Sequence, residues 1–170
     1  MNWHENDDLF FRELDEGRRW QLYVASKLLE AGLWVQVPEG SVRDSIEDVP
    51  AYANEADIWV TRKRPAKIEV KSRRVEFTGP HDIPPNRRPF IVTTESSWNN
   101  ADTKPIAVVI VSQETRGIVV ASSRRSREWE VRYLYDNVRR IHDYFLCTPV
   151  ERLFTFDELT KHLQRRELGG

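Results

Sequence analysis

Along the first third of the chain the apolar residues Leu9, Phe10, Leu14, Trp20, Val24, Leu28 and Ala31 recur at helical spacing. The pattern predicts a long helix or a broken pair, closed by Gly32 as the C-terminal cap. Gly17 falls inside it and predicts either a bend or the close approach of another backbone. Leu33-Trp-Val-Gln-Val37 then reads as a first strand. Residues 38–55 hold Pro38, Gly40, Pro50 and five acidic side chains (Glu39, Asp44, Glu47, Asp48 and Glu55), the composition of a surface connection. Ala56-Asp-Ile-Trp-Val60 and Ala66-Lys-Ile-Glu-Val-Lys-Ser72 flank Lys63-Arg64-Pro65 and predict a hairpin.

Gly79, Pro80, Pro84, Pro85 and Pro89 make 74–89 irregular, after which Phe90-Ile-Val-Thr-Thr94 reads as a strand. Two β-branched runs, 106–112 and 117–122, are parted by Gln113-Glu-Thr-Arg116 and predict a second hairpin in the middle of a sheet. Between Trp129 and Thr148 two patterns compete. Val131, Tyr133 and Tyr135 alternate like a strand, whereas Val138, Ile141 and Phe145 follow helical spacing. Thr155-Phe-Asp-Glu158 is a capping box, so a short helix runs to about Arg166. The sum is an α/β fold with a central mixed sheet flanked by helices.

Composition narrows this further. In 170 residues, 39% are apolar and 31% charged, with 26 basic against 27 acidic side chains, which fits one globular domain over residues 1–170. A net charge of −1 with 11% aromatics argues against disorder. The longest apolar run, Ile106 to Val111, falls short of the roughly 18 residues of a membrane span. The acidic, aromatic start (Trp3, Glu5, Asp7, Asp8) lacks the basic and apolar parts of a secretory signal, so a cytoplasmic protein with no membrane partner is expected. Cys147 is the only cysteine, which excludes an internal disulfide and a multi-cysteine metal centre and leaves a small buried hydrophobe. The four histidines have no ligand spacing and no catalytic role is assigned to them; His81, in a loop, is the one a substrate could meet.

The chemistry gathers on the 56–72 hairpin. Alternation puts Ile68 and Val70 on one face of the second strand and Lys67, Glu69 and Lys71 on the other. Glu69 and Lys71 are then roughly 6.5–7 Å apart at Cα. A turn centred on Arg64 pairs residues whose numbers sum to 128. Trp59 then faces Glu69, Asp57 faces Lys71, and Asp57 lies diagonal to Glu69 at about 7–8 Å. Two carboxylates at that separation can share a hard cation. Phosphodiester hydrolysis uses one to neutralise phosphate and to make a nucleophile of water, and Asp57, Glu69 and the carbonyl of Val70 suit Mg²⁺. A lysine beside them, Lys71, can position the attacking water and steady the negative transition state.

Asp57, eleven residues, Glu69, one residue, Lys71 resembles the active-site signature of the PD-(D/E)XK nuclease superfamily. The likeness covers residues 8–73, where helix, strand and two hairpinned strands follow the order of that family's αβββαβ restriction-endonuclease-like core. It implies Mg²⁺-dependent cleavage of DNA, with Mn²⁺ as a substitute, by catalytic Asp57, Glu69 and Lys71. An acid on the first helix often completes such sites; Glu16 is the better candidate and Glu13 lies one turn earlier. Gln21 stands where related nucleases often carry Glu, and Ala56 stands where the motif has proline.

With 27 acids and six lysines in 170 residues, an acid two positions before a lysine arises about once by chance. Asp102-Thr-Lys104 is such a decoy, in a polar stretch before Pro105, with Lys104 at most a phosphate contact. Around the hairpin Arg62, Lys63, Arg64, Lys67, Lys71, Arg73 and Arg74 form a basic cluster suited to a nucleic-acid backbone, Arg62, Arg73 and Arg74 being its candidate contacts alongside Gln21. Arg87, Arg88, Arg124, Arg125 and Arg127 are weaker phosphate clamps. Trp20, Trp34, Trp59 and Trp129 read as core, and Trp98 as a base-stacking or loop-plugging ring. The expectation is a small structure-directed or nonspecific endonuclease of prokaryotic or phage type, acting as a homodimer on DNA. A Holliday-junction-resolvase-like enzyme and a noncatalytic DNA-binding module are the alternatives.

Overall fold

The computed structural model describes residues 3–38, 58–62, 64–137 and 139–168, with side chains described over 17–38, 58–62, 64–137 and 139–165. The expected 38–55 connection therefore lies outside the described residues apart from Pro38, as do Ala56 and Asp57.

Helix α1 runs unbroken from Trp3 to Glu30. Trp20, Val24, Ala25 and Leu28 are its buried stripe, the i, i+4 spacing that turns one face of a helix to the core. Its end is a Schellman motif. Leu33 N donates to Leu28 O at 3.0 Å and Gly32 N to Leu29 O at 2.9 Å, a turn that needs the positive φ of Gly32, +80°. The bend expected at Gly17 does not occur. A Cβ there would meet nothing within 4 Å, so close approach does not explain this glycine either.

Two sheets follow. The larger contains β1 (Val35–Gln36), β2 (Ile58–Val60), β3 (Ala66–Arg73), β5 (Ala107–Ser112), β6 (Ile118–Ser122) and β9 (Phe154–Thr155), in the order β1-β2-β3-β5-β6-β9. Only β3 and β5 run parallel, so the sheet is mixed. The smaller is antiparallel, β4 (Phe90–Thr94), β8 (Ile141–Thr148) and β7 (Glu130–Asp136) in the order β4-β8-β7. Helix α2 (Glu95–Asn100) follows β4, and α3 (Phe156–Leu168) closes the chain behind the expected capping box. Thr155 N donates to Glu158 Oε2 at 2.7 Å, and Glu158 N to Thr155 Oγ1 at 3.2 Å.

All six residues of β5 are buried, as befits a central strand covered on both faces. Its Ala107, Val109 and Val111 join Ile68, Val70, Val120 and the helical residues Trp20, Val24, Leu28, Leu159 and Leu163. Its Val108 and Ile110 join Phe77, Phe90, Val92, Val119, Trp129 and Leu146 beneath the smaller sheet. The layers are thus helices, larger sheet and smaller sheet.

Several expectations need correction. The β2–β3 ladder pairs Ile58 with Ile68, Trp59 with Lys67 and Val60 with Ala66, so its numbers sum to 126. Trp59 faces Lys67, not Glu69, because the turn is centred one residue before Arg64, with Arg62 Nε donating to Arg64 O at 2.9 Å. The helical spacing after Ile141 yields to strand β8, paired with β4 on one edge and β7 on the other; two ladders outweigh a local periodicity. The first strand shrinks to two residues, and Trp34, expected in the core, is 76% exposed. Trp98 plugs: its ring packs edge-on against Trp129 at 4.9 Å.

Candidate active site at the seam of the two sheets

Because Ile68 and Val70 face the helices, alternation turns Lys67, Glu69, Lys71 and Arg73 toward the side of the smaller sheet. Lys67 is buried, and its Nζ donates to Thr103 O at 3.3 Å. Lys71 Nζ meets Glu69 Oε1 at 2.8 Å, the lysine side chain 32% and the glutamate 18% exposed. At the end of the row Arg73 reaches across the seam. Its guanidinium donates to Ser72 O at 3.0 Å and to Val92 O of β4 at 3.3 Å. Burial there lowers its pKa, opposed by the charges of Asp136 and Glu69. β3 thus presents a partly exposed lysine–carboxylate pair with an arginine beside it at the seam, charges to which a phosphate oxygen and a hard cation can both be held.

The other expected residues fall as follows. Asp57 lies outside the described residues. Glu16 and Glu13 lie on α1, their side chains outside the description. Gln21 shares the sheet-facing stripe of α1 and accepts from Arg18 at 3.5 Å. Val70 points its side chain into the core and sits opposite Val109 in the parallel ladder. Arg74 is exposed, with Nε directed at Gln113 Oε1, 3.4 Å away. Lys104 is engaged rather than free, donating to Trp98 O and, at 3.3 Å, to Ala101 O, which caps the end of α2. Arg73, expected on the nucleic-acid surface, is an inward residue of the seam. Cys147 is buried as expected, and burial pushes its thiol up to about 11, so it is no nucleophile at neutral pH.

Among the described residues no three His, Cys, Asp or Glu side chains gather into a metal-binding group. Of the expected ligands the description places Glu69 and Val70, both oxygen donors, a chemistry that fits Mg²⁺ and not the nitrogen and sulfur preference of zinc.

Two groupings escaped the sequence reading. On the β7–β8 hairpin Tyr133 lies opposite Tyr144 and Tyr135 opposite His142. Tyr133 packs on Tyr144 at 4.8 Å and stacks on His142 at 5.2 Å, an exposed aromatic ladder whose signal was the alternation of Val131, Tyr133 and Tyr135. The second is at His162 on α3, held below its usual pKa by burial and then by the positive charges of Arg124, Arg62 and Arg165, residues too far apart in the chain to leave a local signal.

These features define an α/β protein with a mixed sheet and a row of charged side chains on β3 turned toward the smaller sheet; no helix among the described residues is long and apolar enough to cross a membrane. No protein-family model, curated protein or solved structure matches the chain.

Proposed function

We propose that the chain is a metal-dependent DNA nuclease of the PD-(D/E)XK type, cutting phosphodiesters with an attacking water and no covalent enzyme intermediate. The observation that carries this reading is the Glu69–Lys71 pair, 2.8 Å apart on the polar face of β3. Its setting supports the reading: a long helix precedes it, β2 pairs antiparallel to β3, and a crossover returns to β5 in parallel. That order agrees with the αβββαβ core, although here the crossover carries β4 and the six-residue α2 in place of a long helix.

In this reading Asp57 would hold Mg²⁺ or Mn²⁺ with Glu69 and the carbonyl of Val70, Glu16 completing the set from α1. The bound ion supplies Lewis acidity and offsets phosphate charge. Lys71, paired with Glu69 at 2.8 Å, would donate hydrogen bonds to the attacking water and a non-bridging phosphate oxygen. Arg73 ties β3 to β4 through its bond to Val92 O. DNA is the substrate, and two copies acting together would cut both strands, as in a junction resolvase.

Supercoiled plasmid incubated with Mg²⁺ or Mn²⁺ tests this. The wild type should nick or linearise it, while Lys71→Ala and EDTA controls leave it intact. A lack of cleavage on plasmid, linear, single-stranded and junction DNA would overturn the reading. One observation favours a noncatalytic DNA-binding module: Gln21, not an acid, stands on the sheet-facing stripe of α1. Mn²⁺ binding that Asp57→Ala abolishes would exclude that alternative.

A further inference from the structure

The edge of a sheet presents a row of unpaired backbone N–H and C=O groups, and folded proteins shorten, cover or charge their edge strands so that other chains do not add to them. Among the described residues, three of the four sheet edges follow that rule. The larger sheet ends in β1 and β9, each only two residues long. The smaller sheet ends on one side in β4, which Arg73 meets through Val92 O. Its other edge is β7, seven residues from Glu130 to Asp136 with no proline, no lysine and an unbroken ladder to β8. No strand among the described residues pairs with its outer side.

The side chains of β7 are open as well. Val131, Tyr133 and Tyr135 stand exposed on one face, and alternation puts Arg132, Leu134 and Asp136 on the other. Two copies of such a strand can pair antiparallel about a two-fold axis normal to the sheet, which keeps each face on its own side and sets one residue opposite itself. Three such registers pair most of the strand. Centred on Arg132, the register sets Arg132 against its own copy; centred on Tyr133, it sets Glu130 against Asp136 of the second copy. Both oppose like charges, which is destabilising. Centred on Leu134, the register sets Arg132 against Asp136 of the second copy, twice by symmetry, and Tyr133 against Tyr135.

We infer that β7 is a self-complementary edge to which a second copy of this chain adds, joining two three-stranded sheets into one with Leu134 on the two-fold axis. Within one chain Arg132 meets Glu130 in a pair too exposed to contribute much, and Asp136 meets Arg139. Pairing of the two copies brings Arg132 to Asp136 as well, so that each edge carboxylate faces a second guanidinium. On the other face the rings continue the row already formed between β7 and β8, where Tyr133 lies opposite Tyr144 and Tyr135 opposite His142. Tyr144 and Tyr133 of one copy would be followed by Tyr135 and His142 of the other, one strand spacing apart. That two copies associate here does not depend on the nuclease reading; that their association serves two-strand cutting does.

Sedimentation velocity of the full chain over a concentration series tests this, and should show monomer passing to dimer as concentration rises. Arg132→Glu should raise the dissociation constant about tenfold, because it opposes two acids on each side of the axis, and adding Asp136→Lys should restore the dimer. Asp136 is also bonded to Arg139, so a second measurement stands apart from that rescue. Under a mild oxidant Leu134→Cys should give a disulfide-linked dimer, since residues facing each other across an antiparallel pair lie within the reach of a disulfide. Arg132→Cys, about 13 Å along the strand from its own copy, should not, and the native Cys147 is buried. A chain that stays monomeric at hundreds of micromolar overturns the inference; if Tyr133→Ala then weakens binding of a single-stranded oligonucleotide, the rings are a base-stacking surface instead. Dimers that survive Arg132→Glu unchanged, or that crosslink equally at both positions, place the contact elsewhere and overturn it too. Because no cleavage is read, a chain that pairs through β7 but never cuts DNA upholds this inference and fails the nuclease reading, and a nuclease that stays monomeric does the reverse.

Discussion

The two faces of the larger sheet are both covered, yet they do different work. Toward the helices β3 presents Ile68 and Val70, which pack in an apolar cluster with residues of α1, β5 and α3. Toward the smaller sheet the same strand presents Lys67, Glu69, Lys71 and Arg73, while its neighbours β5 and β6 present Val108, Ile110, Val119 and Ala121 to the apolar core there. Among the described strands of the larger sheet, charge is therefore confined to β3. A strand alternates its side chains, so a single eight-residue segment can be anchored by one half of its residues and carry charge on the other.

Substitutions on the two faces should separate. Ile68→Ala, at a site with no exposure, should cost about 3 kcal/mol in urea unfolding and reduce cleavage only in proportion to the folded fraction. Lys71→Ala should do the reverse, cutting cleavage by about 100-fold, or about 2.7 kcal/mol of barrier, while shifting the urea midpoint little, since a one-third exposed ion pair contributes under about 1 kcal/mol. If both variants lose stability equally, the division of labour is wrong.

Smaller effects sharpen the same contrast. Gly117, where β6 begins, packs so closely beneath the 74–89 segment that a Cβ would collide with Phe77 O and Thr78 Cα. Gly117→Ala should cost about 2 kcal/mol and loosen the sheet-covered side. Thr155→Ala removes the cap of α3 on the helical side and should cost about 1 kcal/mol. Last, Asp82 accepts from Thr78 N, Thr78 Oγ1 and Gly79 N, and the Thr78 hydroxyl bond, with the backbone bonds behind it, brings its pKa from 3.8 to about 2. A depressed folded value means that its stabilisation is present above the unfolded pKa and fades as pH falls from about 4 through about 2. Thermal melts of Asp82→Asn should lose part of that acid sensitivity; an identical pH profile would show the loop uncoupled from the fold.

The extent of this that could be read along the chain varied with distance. Strand β4 appears with the expected bounds, β5 and β6 within a residue of them, and the Thr155–Glu158 box as drawn, because each depends on neighbours a few residues away. The hairpin register slipped by two, a matter of turn geometry that composition does not specify. Lys67 was expected on an open polar face and is buried, since the loop carrying Thr103 covers it. Arg73 and Lys104 carried the right charge for a phosphate contact, but one turned into the seam and the other onto a helix end.

What the sequence determined by itself was periodicity and chemistry: which residues alternate, where a helix stops at Gly32, and that an acid and a lysine share a strand face at Glu69 and Lys71. What only the tertiary structure decided was company. Which face a second sheet would cover, why Trp34 stands in solvent, and how the charges of Arg124, Arg62 and Arg165 come to bear on His162 all depend on segments far apart in the chain. Their contacts form only when the layers close, and no local pattern encodes that closure.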